Sequence, residues 1–203
     1  MAQIQPRYPV NLTVDYPEQL DRLTTLFRLF TVIPIAILLW LVYGARGYQA
    51  EYVATGFLFL PTLLMLLFRQ KYPRWWFDWN VALVGFSLRV SSYGALLRDE
   101  YPSTDDEQSV HLNIPYPNAE TDLNRWLPLV KWLLAIPHYI VLVFLEIGVL
   151  VAIVVAWFAI LITRRYPRAL FDYVVGVFRW SIRVTAYAFL LTIDQYPPFT
   201  LSE

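Results

Sequence analysis

The chain has 203 residues, 58% hydrophobic and 17% aromatic, with a mean hydropathy of +0.45; a soluble domain is about 45–50% apolar, and here the excess sits in blocks, the pattern of a membrane protein. Sixteen basic residues balance sixteen acidic ones, so no net charge draws the chain to nucleic acid. The absence of cysteine excludes disulfides, thiolate metal sites and thiol nucleophiles.

The N-terminal stretch lacks an apolar core followed by a small-residue cleavage site, so no removable signal peptide is expected. Residues 9–15 alternate, with Val10, Leu12 and Val14 apolar against Asn11, Thr13 and Asp15, which is strand period. Residues 18–28 are helix-compatible. Leu29–Ala45 then runs 17 residues without charge, roughly 25 Å as a helix, and the stem of Arg28 can snorkel to extend it. Arg46–Glu51 reads as a loop, and Tyr52–Phe68 is a second uncharged run closed by Arg69 and Lys71. Residues 74–98 are amphipathic, with Arg74, Asp78, Gly85, Arg89 and Ser92 on one stripe. Residues 99–108, DEYPSTDDEQ, form an acidic link.

The order then repeats. Val110, Leu112 and Ile114 alternate with His111 and Asn113; the two strands either pair with each other or stay as solvated arms. Trp132–Thr163 is 32 residues with one acid, Glu146. A single helix of that length would be roughly 48 Å, too long for one span. Ile33-Pro34 matches Ile136-Pro137 at an offset of 103, and Tyr72-Pro73-Arg74 matches Tyr166-Pro167-Arg168 at 94, so the second block is 9 residues shorter. This predicts a tight turn near Glu146-Ile147-Gly148 with a helix on either side; the alternative is one long tilted or broken helix. Residues 168–192 are amphipathic again, with Arg168, Asp172, Arg179 and Arg183 on the stripe, and TIDQYPPFTLSE ends the chain in extended form.

Two hairpins put Arg69, Lys71, Arg74, Arg164, Arg165 and Arg168 on one side and leave only Arg46 of the basic residues on the other. That is the positive-inside pattern. The expected fold is mainly α: four transmembrane helices as two hairpins in a tandem repeat, 1–102 and 103–203, with short cytoplasmic β-strands. A mid-span arginine costs about 2.5–3.5 kcal/mol, so 74–98 and 168–192 are read as interfacial helices with Trp75, Trp76 and Trp79 at headgroup depth; a six-span bundle is the rival. The expected location is the inner (cytoplasmic) membrane, with both termini cytoplasmic.

The candidate polar residues are Arg74, Asp78, Arg89, Arg168, Asp172 and Arg183, either as structural ion pairs meeting across the two copies or as a lipid-headgroup site. His138, within a membrane helix, could be a relay or ligand but reads better as interfacial; His111 reads as surface and Glu146 as a residue of the outer turn. Pro34, Pro61 and Pro137 could kink their helices as in transporters. No metal site, cofactor or catalytic motif is expected, and no nucleic acid partner. The composition points to an accessory or scaffolding membrane protein that associates with membrane lipids and with itself or other membrane proteins; a lipid-binding protein and a small transporter or channel are the alternatives.

Arg165-Tyr166-Pro167-Arg168, Phe171-Asp172, Arg183-Val184, Tyr187, Leu190-Leu191, Asp194 and Tyr196-Pro197-Pro198-Phe199 resemble a bacterial membrane family, the domain of unknown function numbered 4389. The first copy follows the same order but departs at Tyr101-Pro102-Ser103-Thr104, which lacks the second proline and the phenylalanine. The resemblance implies no activity and no catalytic residue.

Overall fold

The computed structural model describes residues 8–42, 50–106 and 108–202, with side chains of the second helix from residue 59 onward. The loop read at Arg46–Glu51, with Arg46 itself, falls largely outside these residues. The element order is β1 (Asn11–Val14), α1 (Arg22–Val42), α2 (Ala50–Arg69), α3 (Arg74–Gly94), β2 (Val110–Asn113), α4 (Pro128–Leu134), α5 (Ile136–Thr163) and α6 (Arg168–Ala188). The protein is thus mainly helical, with one small antiparallel strand pair.

The two alternating segments pair with each other: Asn11 faces Asn113, Leu12 faces Leu112, Thr13 faces His111 and Val14 faces Val110. An isolated pair of strands is marginal in water, and this one is backed by helix. Val10 and Leu12 are fully buried, and Arg179 Nε of α6 donates to the Leu12 carbonyl at 2.9 Å. On the opposite side of the ribbon Asn113 and His111 are exposed, and His111 Nε2 lies 3.3 Å from Asp15 Oδ2.

Helix α6 is the centre of the molecule. It is buried against β1 on one side and α5 on the other, with Val174, Ala186 and Ala188 at 0% exposure. Gly176 lets the C-terminal segment lie on the helix: a Cβ there would stand 2.9 Å from Leu201 Cβ and 3.1 Å from its carbonyl oxygen. Helix α1 runs antiparallel beside α5. Leu20 N–H donates to the Arg164 carbonyl at 2.9 Å, Arg22 Nη2 to Ile162 O at 2.6 Å and Trp157 Nε1 to Thr25 O at 3.2 Å. At the far end, Arg125 Nε donates to Leu67 O at 2.7 Å, tying the approach to α4 onto the end of α2.

The turn expected at Glu146-Ile147-Gly148 is absent: α5 runs unbroken through all 28 residues from Ile136 to Thr163. The reason is local. Glu146 and Ile147 carry no strong breaker, no proline stands nearby, and a lone glycine costs a helix only about 1 kcal/mol. Gly148 serves a close approach instead. A Cβ there would meet the Tyr173 ring at 3.1 Å and its hydroxyl closer still, and that hydroxyl donates to the Leu145 carbonyl at 2.8 Å. Glu146 therefore sits midway along a helix rather than at a membrane-surface turn. Pro137 does not kink a helix interior either; it occupies the first turn of α5, where its missing N–H costs nothing. Arg164, in left-handed conformation at φ 60°, ends α5 by donating its N–H to Ile160 O at 2.8 Å.

Among the described residues two helices, α1 and α5, are long and apolar enough to cross a membrane; Phe59–Arg69 of α2 is apolar but shorter. The break in α5 that four spans require is missing. Both long helices bury one face and leave the other bare: Leu29, Phe30, Phe144, Leu150 and Ile162 are 65–76% exposed.

Candidate functional site

The candidate polar residues divide into surface pairs and carbonyl clamps. Arg74 pairs with Asp78 at 3.0 Å and Arg168 with Asp172 at 3.1 Å, each one helical turn apart and exposed. Each of these arginines also reaches a tyrosine distant in the chain. The Arg74 guanidinium lies 4.8 Å over the Tyr116 ring and that of Arg168 lies 4.5 Å over Tyr16. Each of these tyrosines meets a phenylalanine edge-on, Tyr116 with Phe77 at 5.1 Å and Tyr16 with Phe171 at 4.9 Å. Arg89 Nε donates to Ser103 O at 2.8 Å and Nη2 to Thr104 O at 3.1 Å; Arg183 donates to Val10 O at 3.4 Å and Ser202 O at 3.0 Å. The geometry reached by Arg89 and Arg183 is therefore to backbone carbonyls, while the two aspartates find their partners within their own helix. Exposed pairs of this kind contribute roughly 0–1 kcal/mol.

The strongest electrostatic feature lies elsewhere, in two buried clamps of the same design. Lys131, at 0% exposure, stands 2.7 Å from Asp194 Oδ1, donates to Ile193 O at 2.6 Å and lies 5.1 Å over the Tyr187 ring. Asp194 Oδ2 also accepts the Asn124 N–H at 2.6 Å, and Asn124 Oδ1 in turn accepts Trp126 N–H at 2.9 Å at the approach to α4. In the first copy Arg28, at 2% exposure, pairs with Asp99, donates to Arg98 O at 2.5 Å and lies 4.1 Å over the Tyr93 ring. Asp99 Oδ2 accepts the Asp21 N–H at 2.8 Å, and Asp21 Oδ1 accepts Leu23 N–H at 2.9 Å. Each carboxylate thus locks a helix start to a cation buried one to two turns further on. Burial pushes the Lys131 ammonium below its ordinary range, and Asp194 pulls it back only in part. The sequence pattern does not single out Lys131, and it gives Arg28 only a snorkelling stem. The signal was present: Arg28 and Lys131 are 103 apart, the offset of the matching prolines.

The surroundings of the two clamps differ. Trp180 Nε1 donates to His138 Nδ1 at 3.0 Å, so the neutral ring carries its proton on Nε2. His138 is fully buried, stacks on Phe199 at 4.0 Å, and its Nε2 has no hydrogen-bond partner among the described residues. The corresponding pair in the first copy is Ile35 and Phe86, packed together with Val90.

A groove of about 740 Å³ opens between α3, α5 and α6. Its polar groups are Ser87 and Ser91 of α3, Ser181 and Thr185 of α6, and Glu146 of α5; the walls are otherwise apolar, aliphatic apart from Phe178. A smaller hollow of about 200 Å³ shares Glu146 and reaches Tyr139. Among the described residues Glu146 has no salt-bridge partner, and no group of three or more His, Asp or Glu is placed to hold a metal ion. Such a site can accept an apolar body with one cationic or hydrogen-bonding end.

No curated protein and no solved structure matches the chain. The stretch that carries the Lys131 clamp, the His138 pair and the Tyr196–Phe199 motif does match one family model, and the first copy lies outside that match. Residues 126–200 match the model of the family described as a domain of unknown function (DUF4389).

Proposed function

We propose that this chain is a membrane-embedded accessory or scaffolding protein, which acts by holding itself and other membrane proteins together rather than by transforming a substrate. One observation carries the reading: the outer faces of α1 and α5 are long, apolar and uncovered. A core helix of a soluble protein would be mostly buried, whereas 17% and 22% of these two apolar windows are. A soluble monomer rarely exposes a contiguous apolar patch beyond a few hundred Å². The basic excess beside the ends of these helices favours the inner membrane with the strand layer on the cytoplasmic side.

The chain is further read as a duplicated unit, 1–102 and 103–203, related by a pseudo-twofold axis through the Leu12–Leu112 pair. The matching clamps, the matching Arg–Tyr stacks and the matching left-handed residues Gln70 and Arg164, 94 apart, support this. A unit of this kind offers two similar surfaces to partners.

Purification from the native membrane in mild detergent tests the proposal. A stoichiometric partner or a defined homo-oligomer is expected. A monomer carrying only specific lipid would move the assignment to the second reading, a lipid-binding protein, which the Glu146 groove favours.

A further inference from the structure

We propose that α1 and α5 do not cross the bilayer but lie along it, sinking their bare faces into a single leaflet. The inference rests on the membrane reading above and adds how the chain sits there.

The first ground is the length and one-sidedness of α5. Its 28 residues make a rod of roughly 42 Å, against a hydrocarbon core of about 30 Å. Ile140, Phe144, Val151, Val154, Phe158 and Ile162 follow helical spacing and keep one exposed apolar face along that whole length. The opposite face, through His138, Leu142, Val149, Ala152, Ala156 and Ile160, is buried along the same length.

The second ground is the polar layer formed by the strand pair and the tyrosines that flank it. At the C-terminal end of α5 the Tyr16 hydroxyl donates to Tyr166 O at 2.5 Å. At the other end, beside the close of α2, the Tyr116 hydroxyl donates to Tyr72 O at 2.5 Å. Between the two runs the strand pair, with Asp15, His111 and Asn113 exposed on the side away from α6. A crossing α5 would drag this layer across the hydrocarbon with it, leaving strand edges and charged groups without water, which lipid does not tolerate.

The third ground is charge. Exposed Arg164, Arg165 and Arg168 stand at one end of α5, and exposed Arg69, Lys71, Arg74 and Arg125 at the end of α2 that meets the approach to α4. A crossing helix would place one basic cluster on each side of the membrane. A helix lying in the surface gives both clusters to the same anionic headgroups. Exposed Trp75, Trp79, Trp126 and Trp132 suit that depth. The occupant of the bare face is therefore acyl chain beneath a headgroup layer containing anionic lipid.

The chain's lack of cysteine makes the test direct. Trp126→Cys and Arg165→Cys, each in the full chain, are labelled with an impermeant maleimide in sealed vesicles of known orientation. Labelling of both from the same side is expected, and labelling from opposite sides overturns the inference. Spin labels at Ile140→Cys, Val151→Cys and Ile162→Cys report depth: equal shallow immersion is expected, and a maximum at 151 with both ends near water overturns it. Release of the protein by washing would instead remove the membrane reading itself. A dimer in which position 151 meets neither lipid nor water would show that a second copy covers this face, and would also overturn the inference.

Discussion

Leu12 and Leu112 face each other as direct partners in the antiparallel strand pair, and the same pairing sets Val14 opposite Val110. Behind this pair, β1 packs against α6 and β2 against α3. Leu12 is fully buried against the helices and Leu112 only partly. Leu12→Ala should destabilise the protein by about 2–5 kcal/mol, and Leu112→Ala by clearly less; melting in detergent checks the ranking.

Gly148 and Tyr173 should behave as one unit. Gly148→Ala forces the Tyr173 ring aside and breaks its bond to Leu145 O, at a cost of about 1 kcal/mol for the lost hydrogen bond. Tyr173→Phe should cost about the same, and in the Gly148→Ala/Tyr173→Phe double variant the two losses should not add. Additive losses would show that the Tyr173 contact does not account for the glycine at position 148.

The buried clamps predict an asymmetry between single and double substitution. Lys131→Met or Asp194→Asn alone leaves a buried group uncompensated, at about 3–5 kcal/mol. Lys131→Met with Asp194→Leu should recover most of that loss in a detergent melt.

Glu100 gives a pH prediction. Burial alone would raise its carboxyl, but the Ser109 hydroxyl and amide together with Arg98 overrule burial and hold it below the usual carboxylate range. A lowered folded-state value means the contribution is present at neutral pH and lost as pH falls through that value. Glu100→Gln should flatten the acid side of the stability profile below about pH 4.5 and lower stability at pH 7.

His138 and Trp180 should also be coupled. His138→Ile leaves the indole N–H buried without an acceptor, whereas His138→Ile with Trp180→Phe installs the pair that the first copy uses, Ile35 and Phe86. The double variant should melt within a few degrees of the parent and the single variant lower. Loss of a co-purifying partner in the stable double variant would mark this pair as functional.

Much of this was legible in the sequence. The alternation at 9–15 and 110–115 marks two short strands, and the structure pairs them. The amphipathic segments 74–98 and 168–192 contain the helices α3 and α6, which end at Gly94 and Ala188. What the sequence hid was packing. A nine-residue shortening looks like a tight turn when each copy is assumed to be a hairpin, and only the Tyr173 ring lying on Gly148 explains why a glycine sits inside a continuous helix. Asp99 reads only as part of the acidic link and Asp194 only as a residue of the C-terminal motif, because their partners, Arg28 and Lys131, lie 71 and 63 residues away in the chain. Arg183 is visible as a repeated arginine, but its backbone acceptors just before β1 and at the C-terminus are not, since a carbonyl leaves no mark in the pattern.

The central claim is that the bare faces of α1 and α5 hold this protein in a membrane. Alkaline carbonate washing of membranes that contain the full chain, followed by flotation, tests it most directly. The protein should stay with the floating lipid at high pH and high salt, and Phe144→Glu with Val151→Glu should release it while the strand layer stays folded. Recovery of the unmodified chain as a soluble, monomeric protein after the wash would contradict the account.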